Sequence, residues 1–186
     1  MFFRGIACLS GQEVVRILGD IENALSEKAP LHAIIEKLMK LRSVDHVDPL
    51  NAIHAAFIAA RVHKIAGSKK QVSEATRAIV EDAVFRVDVN TIPIGETSKL
   101  FWACAMTHVK PLLPEGFPTD AQLKSLNDKD LCNLIWALSK FVSNADPDFV
   151  NALERIVDTI NDETCNRLSN EDVTAILRSI SNAYRR

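Results

Sequence analysis

Nine basic, imidazole or amide side chains recur along the chain in a pattern that suits contact with phosphate groups. Lysine and arginine neutralise phosphates, while amide and imidazole groups add hydrogen bonds to phosphate, sugar or base. The chemistry that these side chains offer is therefore the noncovalent binding of a polyanion such as RNA. The candidate RNA-contact residues are Arg16, His54, Arg61, Lys64, Lys69, Lys70, Lys99, Asn133 and Lys140.

The densest basic cluster consists of Arg61, Lys64, Lys69 and Lys70. It lies where one predicted helix ends and a loop turns, and side chains at such a corner can reach a nucleic-acid backbone. A basic helix end also complements the negative end of the helix dipole without binding anything. The sequence leaves both interpretations open.

The remaining candidates occupy two recurring helix positions, the second of which lies seven residues after the first. Residues seven apart share a helix face, so a stack of such helices would line these side chains into one polar, partly basic stripe. An ordinary solvated helix face explains the same pattern. The two positions hold Arg16, His54, Lys99, Asn133 and Ala175, and then Asn23, Arg61, Met106, Lys140 and Asn182.

Sequence patterns typical of enzymes and metal sites are absent. The chain has no glycine-rich phosphate loop, no His-Glu-x-x-His and no Gly-x-Ser-x-Gly. Its histidines do not combine with acids or cysteines at ligand spacing, and its four cysteines fit neither a zinc site nor a thioredoxin-type pair. The chain is therefore predicted to have no catalytic residue, no metal and no cofactor.

Capped amphipathic stretches must position these side chains, and they predict an all-α protein of about nine helices. The start signals are the cap residues Ser10, Asp48, Ser68, Thr119, Asn127, Asp146 and Ser169. Asp130, three residues after Asn127, can complete a capping box with it. The predicted helices cover about 10–25, 31–42, 48–66, 68–86, 95–109, a short segment from 119, 127–142, 146–160, and 169 to near the C-terminus.

The first helix of a pair repeats five times, opening at Leu9, Val47, Ile92, Leu126 and Leu168. The steps average about 40 residues, within the range of helix-pair solenoids. We therefore expect one domain over residues 1–186, an α-solenoid of antiparallel helix pairs in four and a half repeats. The alternative is a nine-helix bundle whose helices merely look alike.

Residues 100–103 (Leu-Phe-Trp-Ala) and 134–137 (Leu-Ile-Trp-Ala) match most closely between copies. Trp102 and Trp136 could stack on bases, but their apolar neighbours favour packing between helices. The predicted core of the best-preserved copy is Leu131, Leu134, Ile135, Trp136 and Leu138.

The stretch Leu126–Lys140, which reads Leu-x-x-x-Asp-Leu-x-Asn-x-x-Trp-Ala-Leu-Ser-Lys, resembles the first helix of organellar helical repeats. These repeats occur in octotricopeptide, heptatricopeptide and FAST-kinase-like, RAP-associated proteins. The resemblance is strongest over Leu126–Phe141 and fair over Ile92–Thr107. It implies a mitochondrial or plastid location and RNA-associated work, either in transcript handling or as a structural component of an organellar ribosome.

Residues 1–8 form an N-terminal extension with one Arg and a short apolar run. This composition suits a weak organelle-targeting segment or an apolar start that packs on the first helix. No apolar run reaches the roughly 18 residues of a membrane span, so no membrane insertion is expected.

Charge and architecture together lead to the functional expectation. The formal net charge is −2, but residues 1–77 carry +3 and residues 78–186 carry −5, so a polyanion should prefer the first half. We expect a non-catalytic subunit of an organellar ribonucleoprotein, first of all the mitochondrial ribosome, that contacts rRNA and neighbouring proteins. The alternative is a scaffold or adaptor subunit of a mitochondrial complex without RNA contact. A plastid or cytoplasmic location also stays open.

Overall fold

The computed structural model describes residues 11–42, 48–66, 70–142 and 146–185. Helices make up 78% of these residues and no strand occurs among them, which confirms the predicted all-α class. Ten helices are described, one more than the sequence patterns predict. They are α1 (Gly11–Ser26), α2 (Leu31–Arg42), α3 (Pro49–Ala66), α4 (Lys70–Arg86), α5 (Ile94–Thr107), α6 (Asp120–Lys124), α7 (Asp128–Phe141), α8 (Pro147–Val157), α9 (Asp162–Arg167) and α10 (Asn170–Tyr184).

The helix that the sequence patterns miss is α9. It reads Asp-Glu-Thr-Cys-Asn-Arg, so no apolar stripe marks it. Its start is nevertheless capped, because the Asn161 side chain accepts a hydrogen bond from the Thr164 backbone N–H at 2.9 Å. The preceding helix, α8, was expected to reach Ile160 and instead ends at Val157.

Most predicted helix starts have the caps that the sequence indicates. A side-chain oxygen in each accepts a hydrogen bond from a backbone N–H two or three residues later, which satisfies a donor that the first helical turn leaves unpaired. The confirmed caps are Asp48, Thr119, Asn127, Asp146 and Ser169. The predicted caps Ser10 and Ser68 lie outside the described residues.

The chain divides into two compact units. The first comprises Met1–Val87 with Met106–Val109, and the second comprises Asp88–Ala105 with Lys110–Arg186. Among the described residues, no helix combines the length and the apolar content that crossing a membrane requires.

In the first unit α3 is the central helix. It packs most extensively against α4 and also contacts α1 and α2. Ile53, Ile58 and Val62 are completely buried between α3 and the neighbouring helices. Helix α3 is rich in alanines, whose side chains are short. Because protein interiors are close-packed, such small side chains let helices approach closely. This packing fixes where the polar ends of α3 and α4 lie.

In the second unit α7 packs against α8 and α10, and it also contacts α5. The buried Asp130 carboxylate accepts a hydrogen bond from the Ser98 hydroxyl of α5 at 2.7 Å. Gly95 leaves room for it, since a Cβ there would lie 2.9 Å from Asp130 Oδ2. The Asp172 carboxylate of α10 lies close enough to the Cys132 thiol of α7 to raise the pKa of that thiol. In both contacts the seventh position of one copy meets the fifth position of the next.

Burial follows a register that four of the five first helices share. Counted from the opening residue of each copy, the sixth, tenth and thirteenth positions are at most 5% exposed in α1, α3, α5 and α7. In α10 none of the three positions is buried. The buried set is Val14, Leu18 and Ile21, then Ala52, Ala56 and Ala59, then Thr97, Phe101 and Cys104, and finally Leu131, Ile135 and Leu138.

Candidate functional site

The first unit contains an open surface cleft of about 680 Å³. Two lysines and two histidines contribute to its wall, against a single acid. The cleft is lined by His63, Lys64, Lys70, Ser73, Glu74, Met106 and His108. This lining gives the cleft a positive balance that an anion would meet.

Two helix ends bring the lysines to the cleft. Lys64 lies in the last turn of α3 and Lys70 opens α4, and these two helices pack together. Lys64 forms no ion pair with any residue that the structure describes. Lys70 comes within 3.9 Å of Glu74, but both side chains are largely exposed. Exposed pairs of this kind stabilise a protein little, so both ammonium groups can meet an anion.

His63 is partly buried on the cleft wall, and one nitrogen of its ring is engaged in a hydrogen bond. Its Nδ1 is 3.2 Å from Thr76 Oγ1. The Thr76 hydroxyl lies 2.8 Å from the Val72 carbonyl oxygen, to which it donates, so the hydroxyl oxygen accepts from Nδ1–H. Burial, followed by the nearby His108, lowers the pKa of His63. His63 is therefore mainly neutral near pH 7, and the lysines supply the positive charge of the cleft.

His108 reaches the cleft from the residue that follows α5. Its backbone φ is +57°, in the left-handed region that glycine and asparagine adopt most readily. For other residues this backbone conformation costs free energy, and it persists only where contacts with the surrounding structure stabilise it. The conformation ends α5 and places an exposed imidazole on the cleft wall.

The two histidines of the cleft were missed by reasoning from the sequence, although the repeat contains a signal for them. Counted from Val47 and Ile92, His63 and His108 both occupy the seventeenth position of their copies. Equivalent positions of neighbouring copies in a repeat stack lie close together. In the predicted stack of repeats, two histidines at one register position would indicate such a cleft.

Three candidates from the predicted stripe lie in the first unit, and an acid meets two of them. Glu22 Oε1 of α1 lies 3.2 Å from His54 Nε2 and 3.9 Å from Arg61 Nη1. Arg16 is exposed. Glu22, which the sequence did not single out, therefore reduces the positive character of this part of the stripe.

The stripe candidates of the second unit are also engaged in local contacts. Lys99 Nζ lies 2.6 Å from Glu96 Oε1 on the same helix. Lys140 Nζ lies over the Trp136 ring, 5.3 Å from its centroid, a cation–π geometry. Asn133 is partly exposed. The last candidate, Lys69, lies outside the described residues.

The two tryptophans pack between helices. The ring centroids of Trp102 on α5 and Trp136 on α7 are 6.5 Å apart, with planes tilted by 37°. Both side chains are partly exposed, so the prediction that Trp136 belongs to the buried core is wrong. The other predicted core residues are at most 4% exposed, namely Leu131, Leu134, Ile135 and Leu138.

Two of the cysteines lack the ionisation that nucleophilic chemistry requires. Cys104 is fully buried, and burial raises the pKa of its thiol. Burial and the nearby Asp172 and Asp128 carboxylates raise the pKa of Cys132 to about 11. Because the thiolate is the reactive form, neither thiol is activated near neutral pH. Within the described ranges, no group of three or more His, Cys, Asp or Glu side chains could hold a metal ion.

Comparison with known proteins gives no relative. No protein-family model, curated protein or solved structure matches the chain.

Proposed function

We propose that this chain is a non-catalytic helical-repeat subunit of an organellar ribonucleoprotein, a component of the mitochondrial ribosome that contacts rRNA and neighbouring proteins. The observation that carries the proposal is the cleft in the more basic half of the chain, where Lys64 and Lys70 stand with His63 and His108. The resemblance of Leu126–Lys140 to organellar repeats supplies the location and the class of partner.

The proposed architecture is an α-solenoid of antiparallel helix pairs. The common burial register of α1, α3, α5 and α7 is consistent with it, although any core-facing amphipathic helix buries positions spaced four and three residues apart. The repeated contact between seventh and fifth positions, made by Ser98 with Asp130 and by Cys132 with Asp172, also supports it. Neighbour-to-neighbour contacts that recur once per repeat are typical of solenoids.

RNA would meet the cleft through its phosphates. Lys64 and Lys70 would each neutralise one phosphate, and Nε2 of neutral His63 would accept a hydrogen bond from a ribose hydroxyl. Binding of this kind reads the backbone rather than the bases, which suits a structural subunit that is positioned by the rest of an assembly.

The second candidate function is a protein–protein adaptor without RNA contact. The pairing of the predicted stripe favours it, since Glu22 meets His54 and Arg61, and Glu96 meets Lys99. A stripe whose charges are already compensated attracts a polyanion less.

The salt dependence of RNA affinity distinguishes the two functions. Fluorescence anisotropy of an unstructured single-stranded RNA, titrated with the full chain at increasing salt, measures it directly. Two phosphate contacts predict a slope of log affinity against log salt of about −1.4. No binding at low salt, or a slope of zero, would favour the adaptor.

A further inference from the structure

The cleft of the first unit contains two imidazoles that share one wall. His63 lies in the last turn of α3 and His108 directly follows α5, and both line the cleft. The rings are near enough for the charge of His108 to lower the pKa of His63, in addition to the larger effect of burial. Adding protons to these rings therefore brings like charges together at the place where a phosphate would bind.

The hydrogen bond to Thr76 determines which nitrogen of His63 takes up a proton. Nδ1–H donates to Thr76 Oγ1 at 3.2 Å, and the Thr76 side chain is completely buried. Nε2 is therefore the basic nitrogen of the neutral ring. Protonation of Nε2 leaves the bond to Thr76 intact and converts Nε2 from a hydrogen-bond acceptor into a charged donor. The atom that would accept from a ribose hydroxyl at neutral pH can then donate to a phosphate oxygen.

The groups that line the cleft with His63 are mostly cationic. Lys64 comes from its own helix, Lys70 from α4, and His108 from the segment after α5. Glu74 of α4 is the single acid of the lining, and it is exposed and lies 3.9 Å from Lys70. Among the described residues, protonated His63 therefore has no carboxylate of its own. A bound phosphate would supply the negative charge that the charged ring lacks.

We propose that phosphate binding in the cleft is coupled to proton uptake by His63 and His108, so that the chain binds RNA more tightly as the pH falls below neutrality. The inference rests on the proposed function, because it concerns regulation of the same RNA contact. Such coupling is reciprocal, so the phosphate favours protonation by the same factor by which protonation favours the phosphate. Burial and His108 hold the pKa of His63 below its ordinary value of 6.5, so its ring is mainly neutral at pH 7 and takes up its proton as the pH falls further.

Each charged imidazole is equivalent to one more phosphate contact. At 0.1 M salt one such contact strengthens single-strand binding about fivefold through counterion release. The slope of log affinity against log salt should steepen as well, from about −1.4 for two contacts to about −2.1 for three. Acidification should therefore change both the affinity and its salt dependence.

Fluorescence anisotropy of oligouridine at about pH 7.5 and about pH 5.5 tests the coupling, because histidine titrates in this range and uracil and the phosphodiester do not. The full chain is compared with the double variant His63→Gln with His108→Asn, in which asparagine suits the positive φ of residue 108. The matched control is His32→Gln with His54→Gln, since both residues lie in the first unit and neither lines the cleft.

We expect the full chain and the control to bind at least about fivefold more tightly at the lower pH, and the cleft variant to gain less than about twofold. Circular dichroism checks the folding of both variants. Proton NMR of the His63 ring in the full chain gives a second measurement that does not depend on the folding of a variant. Saturating oligouridine should move the titration midpoint of this ring to higher pH, as reciprocity requires.

The outcomes separate this inference from the proposed function. Oligouridine binding of equal affinity at both pH values would overturn the coupling and leave the RNA contact in place. An equal gain in the two double variants would also overturn it, because the gain would then belong to the general rise in positive charge. Absence of binding at either pH would overturn the coupling together with the RNA contact.

Discussion

Reversing both lysines of the cleft, Lys64→Glu with Lys70→Glu, is expected to weaken RNA binding by about 25-fold or more at 0.1 M salt. Each neutralised single-strand phosphate contributes a factor of about five at that salt through counterion release, so losing two gives about 25. Repulsion between the new carboxylates and the phosphates adds to the loss. Anisotropy with the same RNA measures the effect.

The matched control is the double variant Lys124→Glu with Lys129→Glu. These two lysines are exposed, lie in the second unit and change the net charge by the same amount. The control should weaken binding by less than about threefold, as expected for long-range repulsion that salt screens. Lys70→Glu places an acid in the first turn of α4, which suits the helix dipole, whereas Lys64→Glu places one in the last turn of α3, where it costs about 0.3–1 kcal/mol. Both side chains are exposed, so the cleft variant should fold, which circular dichroism checks. Equal losses in the two double variants would contradict an RNA contact localised to the cleft.

Removing the buried carboxylate of α7 by Asp130→Ala is expected to lower the free energy of unfolding by about 1.5–3 kcal/mol, the range for hydrogen bonds to a charged group. Asp130 Oδ1 accepts from the Ser98 hydroxyl at 2.7 Å, and Oδ2 accepts from the Asn127 side-chain amide at 2.6 Å. The variant removes a contact between α5 and α7, and it takes away the carboxylate to which the Ser98 hydroxyl and the Asn127 side-chain amide donate. Urea denaturation followed by circular dichroism measures the change.

Asp172→Ala is the natural comparison, since Asp172 holds the equivalent position of the last copy. Its carboxylate is less buried than that of Asp130, and it accepts a hydrogen bond from the Ser169 hydroxyl at 2.6 Å. We expect a loss of about 1 kcal/mol, the usual net contribution of one hydrogen bond. Asp130→Asn should recover part of the stability, because an amide keeps one acceptor. A loss below about 0.5 kcal/mol for Asp130→Ala would show that the α5–α7 contact does not stabilise the fold.

Local signals in the sequence predicted much of the helical structure. Caps such as Asn127 and Thr119 act on their own next few residues, and the apolar stripe of α7 is set by periodicity alone. Helix α9 was not predicted, because a short, mostly polar segment has no apolar periodicity even though its start is capped. The partial exposure of Trp136 depends on how α5 and α7 meet, which periodicity does not specify.

The candidate site was less accessible to sequence reasoning because it depends on long-range contacts. Glu22 meets His54 from 32 residues away, so its compensation of the stripe is invisible along the chain. The cleft itself combines α3 and α4 with the residue that follows α5. Lys64 and Lys70 were found by their density in sequence, whereas His63 and His108 required the register of the repeat.

Ultraviolet crosslinking of the assembled complex, with mass spectrometry of the nucleotide-modified peptides, tests the proposed RNA contact most directly. The chain is kept in its natural assembly, so the measurement does not depend on a chosen RNA. We predict nucleotide adducts within residues 62–77, which contain Lys64 and Lys70, and at His108. A chain that stays in its assembly without any RNA adduct, or with adducts confined to the second unit, would contradict the account.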